Sequence, residues 1–179
     1  MVEDLAISRM EHDPSILEDS RLAKIKIPYI EFQRLTPHER LRFLVTEVQR
    51  DLGLELRSGV TKFEPLLSLV GLGGPIDKRV KGALFEFQNL RNLFAHRGGI
   101  ADRKFTINCP HFGYAIGDKV TIGHEIFSRN FWGLMAYGAI ILNRCRSAEG
   151  MPLYYNDFPG LEGATTASAK TDASGSASE

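Results

Sequence analysis

From Thr36 onward, apolar and polar residues alternate with a helical period. Leu41, Leu44, Val45, Val48 and Leu52 recur at the spacing that gathers side chains on one face of a helix. The stretch opens on Thr36-Pro37-His38-Glu39. The threonine hydroxyl is placed to accept from the Glu39 amide, proline suits the first helical position, and Glu39 reaches back to the Thr36 amide. A helix is therefore predicted from Pro37 to about Leu56. A shorter apolar segment, Phe63 to Val70, stops at the breaker cluster Gly71-Leu72-Gly73-Gly74-Pro75. The next predicted helix starts near Pro75 or Ile76 and carries Ile76, Val80, Ala83, Phe87, Leu90 and Phe94 along a single stripe. It ends at Gly98-Gly99, a pair suited to the left-handed conformation past a helix end. Phe105-Thr106-Ile107 and Tyr114 to Ile122 read as short strands, the second turning at Gly117-Asp118. A final helix repeats Phe127, Phe131, Leu134, Gly138, Ile141 and Cys145, a stripe expected to pack along its length.

These elements predict a mainly α fold, an antiparallel helical bundle with a small β-hairpin inserted before the last helix. One domain is expected over residues 1–158, with residues 1–20 weakly structured because their periodicity is weak and Pro14 comes early. Residues 159–179 turn to Gly, Ala, Ser and Thr, a composition that buries too little apolar surface to offset ordering entropy, and they are expected to form a disordered tail.

Composition narrows the function classes. With 43% hydrophobic and 25% charged residues in 179, the chain has an ordinary globular make-up. Lys plus Arg (22) balance Asp plus Glu (22), so no global basic field exists and any nucleic-acid contact must be local. The start Met1-Val2-Glu3-Asp4 lacks a secretory pattern, and no apolar run approaches the ~18 to 20 residues of a membrane span. Two cysteines, Cys109 and Cys145, suit reduced thiols better than a disulfide framework, so a cytoplasmic location is expected.

The chemistry concentrates in Arg91-Asn92-Leu93-Phe94-Ala95-His96, near the end of the amphipathic helix. With its surroundings, Phe87-Gln88-Asn89-Leu90 before and Arg97-Gly98-Gly99 after, this segment resembles the signature of the HEPN family. The ribonuclease members carry Arg, a polar residue, three residues and then His. The resemblance implies a metal-independent endoribonuclease. It would work through attack of a ribose 2′-hydroxyl on the adjacent phosphate, at a cleft where two copies of the motif meet. It makes Arg91, Asn92 and His96 the candidate catalytic residues. It also implies RNA as substrate, a homodimer, and a setting in toxin–antitoxin systems, antiviral defence or stress response. A nucleotidyltransferase or antitoxin is a candidate protein partner.

Local physics agrees with these roles. His96 stands near a helix C-terminus, where the negative end of the macrodipole favours positive charge, and imidazole exchanges protons near neutral pH. A guanidinium such as Arg91 holds a phosphate by paired hydrogen bonds. At 100° per residue, Phe85, Asn89, Asn92 and His96 fall on the face opposite the apolar stripe, and this second stripe is expected to meet a partner. Lys78, Lys81 and Arg97 are the candidate substrate contacts, Lys78 and Lys81 sharing the Asn92/His96 face; Arg79, Arg103 and Lys104 also flank the signature. Neither a metal nor a cofactor enters this expectation: Cys109, His111 and His124 lack paired ligand spacing. Alternatives stay open. His96 caps its helix, Arg91 pairs with Glu86 or Asp102, and the chain is then a non-catalytic module binding RNA, nucleotide or protein.

Overall fold

The computed structural model describes residues 2–54, 57–154 and 157–167. The chain divides into two compact units, Met1–Arg57 with Thr61–Gly74, and Ser58–Val60 with Pro75–Glu179, where the sequence predicts one domain.

In the first unit, α1 (Val2–His12) buries Val2, Ala6, Ile7 and Met10, so helical order extends into residues whose periodicity is weak by eye. Asp13 accepts from the Ser15 amide and opens a 3-10 turn at Pro14–Glu18. A short α2 (Tyr29–Arg34) precedes α3 (Pro37–Asp51). The reciprocal cap at the start of α3 is present: the Thr36 amide donates to Glu39 Oε2 at 2.8 Å, and the Glu39 amide to Thr36 Oγ1 at 3.4 Å. α3 ends at Asp51, and the predicted end at Leu56 lies outside the described residues. α1 packs on α3, with Val45 and Val48 buried. α4 (Val60–Leu69) buries Leu66, Leu67 and Leu69.

The second unit is built on two long helices. α5 (Lys78–Arg97) begins at Asp77, whose carboxylate accepts from the Arg79 amide, and ends at Gly98 in the left-handed region (φ 58°), as the Gly-Gly stop predicts. α6 (Arg103–Asn108) is capped by Asp102, which accepts from the Phe105 amide at 2.8 Å. α7 (His124–Ala148) runs antiparallel to α5: Ala83 meets Gly133, and Glu86 meets Asn130. A Cβ at Gly133 would overlap the Ala83 methyl, so this glycine sets how closely the two helices approach. Leu90, Leu93, Ala101, Phe105, Cys109 and Val120 form a core under the C-terminal half of α5.

The structure corrects the predicted insertion. Among the described residues no named strand forms, and Phe105-Thr106-Ile107 lies in α6, because the Asp102 cap outweighs the β preference of three residues. The Gly117-Asp118 turn exists, but its flank pairs with the chain after α5 instead of with itself. Val120 N–H donates to Gly99 O and Ala101 N–H to Asp118 O, both at 2.8 Å, and the only bridge among the described residues is Ile100 to Lys119.

The packed faces match the predicted stripes only in part. Phe87 and Phe94 on α5, and Phe127, Phe131 and Leu134 on α7, are exposed. The rest of the predicted first stripe, Ile76, Val80, Ala83 and Leu90, is buried and is joined by Glu86 and Leu93; on α7 the predicted Ile141 is buried together with Gly133, Ala136, Tyr137 and Ile140. Small and polar residues occupy the line of closest approach, where bulky rings do not fit. Residues 159–167, assigned by composition to the tail, include a short α8 (Ala164–Ala167), with Leu161 and Ala164 buried; residues 168–179 lie outside the described residues. No described helix is long and apolar enough to cross a membrane.

Candidate functional site

The last two turns of α5 and the start of α6 enclose an open pocket of about 360 Å³. The Gly98-Gly99 stop turns the chain back, and the Asp102 cap starts α6 beside the helix end it has just left. Asn92 and His96, one turn apart on α5, line this pocket together with Arg97, Asp102, Lys104 and Phe105. His96 is exposed and Asn92 half-buried, while Leu93 and Phe105 form the floor. The arrangement presents an imidazole, an amide and two long cations to one solvent-accessible hollow.

Arg91 does not line the pocket. It is exposed on the shoulder of α5 and its Nη1 donates to Asn92 Oδ1 at 3.2 Å, so it touches the pocket lining through that amide. It pairs with neither Glu86 nor Asp102. Glu86 is taken by Arg129 at 2.6 Å, and Asp102 by Arg97, whose Nε lies 3.4 Å from Oδ2. The ion pair leaves Arg97 on the pocket wall with its charge partly offset.

The second stripe is not a continuous partner face. Asn89 is buried: it donates to Phe85 O at 2.8 Å and accepts from Asn108 Nδ2 at 2.8 Å, tying α5 to α6. Phe85 lines a different cavity, nearer the N-terminus of α5. Lys78 and Lys81, the expected substrate contacts, are exposed but stand some four turns before Asn92 and His96. At 1.5 Å per residue that is about 20 Å along the axis, outside the pocket. Sharing a helix face brought these residues into line without bringing them close.

Lys104 takes the place those lysines were expected to hold. It flanks the signature in sequence, but its role depends on α6, which is legible only through Asp102 as an N-cap three residues before Phe105. Cys109 is buried behind the pocket floor; burial, and then the negative charge of Glu86, push its thiol up to about 11, away from nucleophilic chemistry. Among the described residues no group of three or more His, Cys, Asp or Glu side chains converges as a metal site. No known protein family matches the chain, and neither does any curated protein or solved structure.

Proposed function

We propose that the chain is a metal-independent endoribonuclease of the HEPN kind, cutting RNA by 2′-hydroxyl attack. The observation that carries this reading is that Asn92 and His96 line one open pocket with two cations, Arg97 and Lys104, while Arg91 is hydrogen-bonded to Asn92. In this reading His96 moves the proton to or from the reacting oxygens. Arg97 and Lys104 hold the phosphate and offset charge that grows on it. Asn92, set by Arg91, orients the phosphate or the imidazole. The working unit is a homodimer that brings two copies of the motif together, in a cytoplasmic setting of defence, toxin–antitoxin control or stress response. An antitoxin or a nucleotidyltransferase is the candidate regulator.

A second reading has its own support. Arg91 lies outside the pocket and Arg97 already engages Asp102, an arrangement that suits a non-catalytic module gripping RNA, a nucleotide or a protein.

The deciding experiment is incubation of total RNA with purified protein in EDTA, comparing wild type, His96→Ala and Lys104→Ala, with a DNA control. The nuclease reading expects 2′,3′-cyclic phosphate ends, intact DNA, a loss of about 100-fold or more in His96→Ala, and a smaller loss with weakened RNA binding in Lys104→Ala. RNA left whole by folded wild-type protein that still binds it selects the binding module.

A further inference from the structure

The larger cavity of the second unit lies along the N-terminal half of α5 and is independent of the His96 pocket. It measures about 840 Å³, within the range of small-molecule sites. Its apolar wall is made by Phe85 and Ala83 of α5, Trp132 of α7, and Pro159 and Leu161 ahead of α8. Trp132 is half-buried, its ring tilted against Phe158 with centroids 6.1 Å apart, so one side is fixed by packing. Such a wall takes a flat, apolar body.

The charged groups around it are unequally committed. Glu86 is buried, and its carboxylate accepts from Arg129 Nη2 at 2.6 Å, Asn130 Nδ2 at 2.8 Å and His111 Nε2 at 2.8 Å. Its charge is therefore answered within the protein. Arg79 is held by Asp77 and by the carbonyls of Gly160 and Glu162, and serves as wall. Two groups retain capacity. Arg129 gives only Nη2 to Glu86, and its Nε and Nη1 make no hydrogen bond among the described residues. Glu125 stands one turn earlier on the same helix and makes no ion pair among the described residues. A Glu and an Arg at this spacing on a helix ordinarily pair with each other. Here Glu86 draws the guanidinium away, and a cation donor and a carboxylate are left side by side at the edge of an aromatic wall. His124 and Ser128 complete that edge.

We propose that this cavity is a binding site for a small zwitterionic aromatic molecule of the α-amino-acid class. The ring lies against Trp132 and Phe85, the ligand carboxylate takes the spare donors of Arg129, and its ammonium faces Glu125. A simple aromatic acid would satisfy only Arg129, and an aromatic amine only Glu125; the zwitterion answers both.

Trp132 is the single tryptophan of the chain, so its fluorescence reports the site directly. The full chain is titrated with L-phenylalanine, and in parallel with N-acetyl-phenylalanine and phenylalaninamide, which each lack one charge. The expected result is a saturable change with L-phenylalanine, and at least tenfold weaker binding of both blocked forms. Glu125→Gln should abolish the preference for the free amine while leaving the preference for the free carboxylate. Gly82→Leu provides the steric test. Gly82 lines the cavity, a Cβ there meets nothing within 4 Å, and leucine favours the helix, so this variant stays folded and should lose binding. No response to L-phenylalanine at millimolar concentration, equal response to the blocked forms, or undiminished binding in folded Gly82→Leu overturns the proposal.

Discussion

Glu86 is a polar residue on the buried side of α5, in a position where an aliphatic residue would be expected. Burial works to raise its carboxyl pKa, but hydrogen bonds from Arg129, Asn130 and His111, with the charge of Arg129, outweigh that and hold it below the usual carboxylate range. A folded pKa below the unfolded one means that the stabilisation is present above the unfolded-state value, about 4.3 for glutamate, and is lost as pH falls through the folded value. Thermal melts should therefore show Tm dropping on acidification below pH ~5 in wild type. Glu86→Gln should be less stable at pH 7 by roughly 1 to 2 kcal/mol, since the hydrogen bonds from Arg129, Asn130 and His111 lose their charged acceptor while the half-exposed Arg129 stays solvated, and should lose part of the acid slope. An unchanged slope would assign acid sensitivity to other carboxylates. The sequence marks Glu86 only as a charge in an apolar pattern; its three partners come from α7 and from the turn after α6, so nothing local identifies them.

α5 and α7 each carry a glycine, with opposite surroundings. Gly133 faces the Ala83 methyl, and Gly82 faces open space. Gly133→Ala should destabilise by roughly 1 to 3 kcal/mol, because the gain in helix propensity is smaller than the cost of forcing the helices apart. Gly82→Ala should stabilise by up to about 1 kcal/mol. Denaturant midpoints of the two variants check both signs, and a stabilised Gly133→Ala would mean that the helices separate at little cost. At this scale the termini were well written in the sequence: the Thr36/Glu39 cap and the Gly98 stop stand where local chemistry put them. The faces were not. The exposed Phe87 and Phe94 follow helical spacing as well as the buried Val80 and Leu90 do, and periodicity alone does not say which of two apolar stripes a neighbour covers.

For the molecule as a whole, that uncovered stripe has a consequence. Because α5 and α7 are antiparallel and turn 100° per residue, Phe87 and Phe94 point to the same flank of the pair as Phe127, Phe131 and Leu134. These five residues are 36 to 60% exposed, on the order of 400 Å² of apolar surface. That approaches the apolar share of one side of a standard interface, about 800 Å² per partner. The flank is where a second copy is expected to dock, with Arg91 of each copy beside the contact and the Asn92/His96 face of α5 turned away from it. Sedimentation should give a dimer at micromolar concentration and a monomer for Phe131→Glu. A wild-type monomer would remove the dimer from the functional reading, and a dimeric Phe131→Glu would move the contact to another face.

What could be read from the chain alone was whatever neighbouring residues settle among themselves: helical periods, caps and stops, and the presence of an Arg-Asn-x3-His segment at a helix end. Folding in three dimensions decided which residues joined that segment. Lys104 and Asp102 entered the pocket because the chain reverses at Gly98-Gly99, whereas Lys78 and Lys81 stayed four turns away on the same helix face. It also turned the predicted hairpin into a contact with residues 99–101 and buried Asn89 against Asn108. The physical reason is common to all of these. Backbone conformation is set over a few residues by local sterics and hydrogen bonding, while burial and charge pairing depend on segments far apart in sequence that meet only when the helices pack.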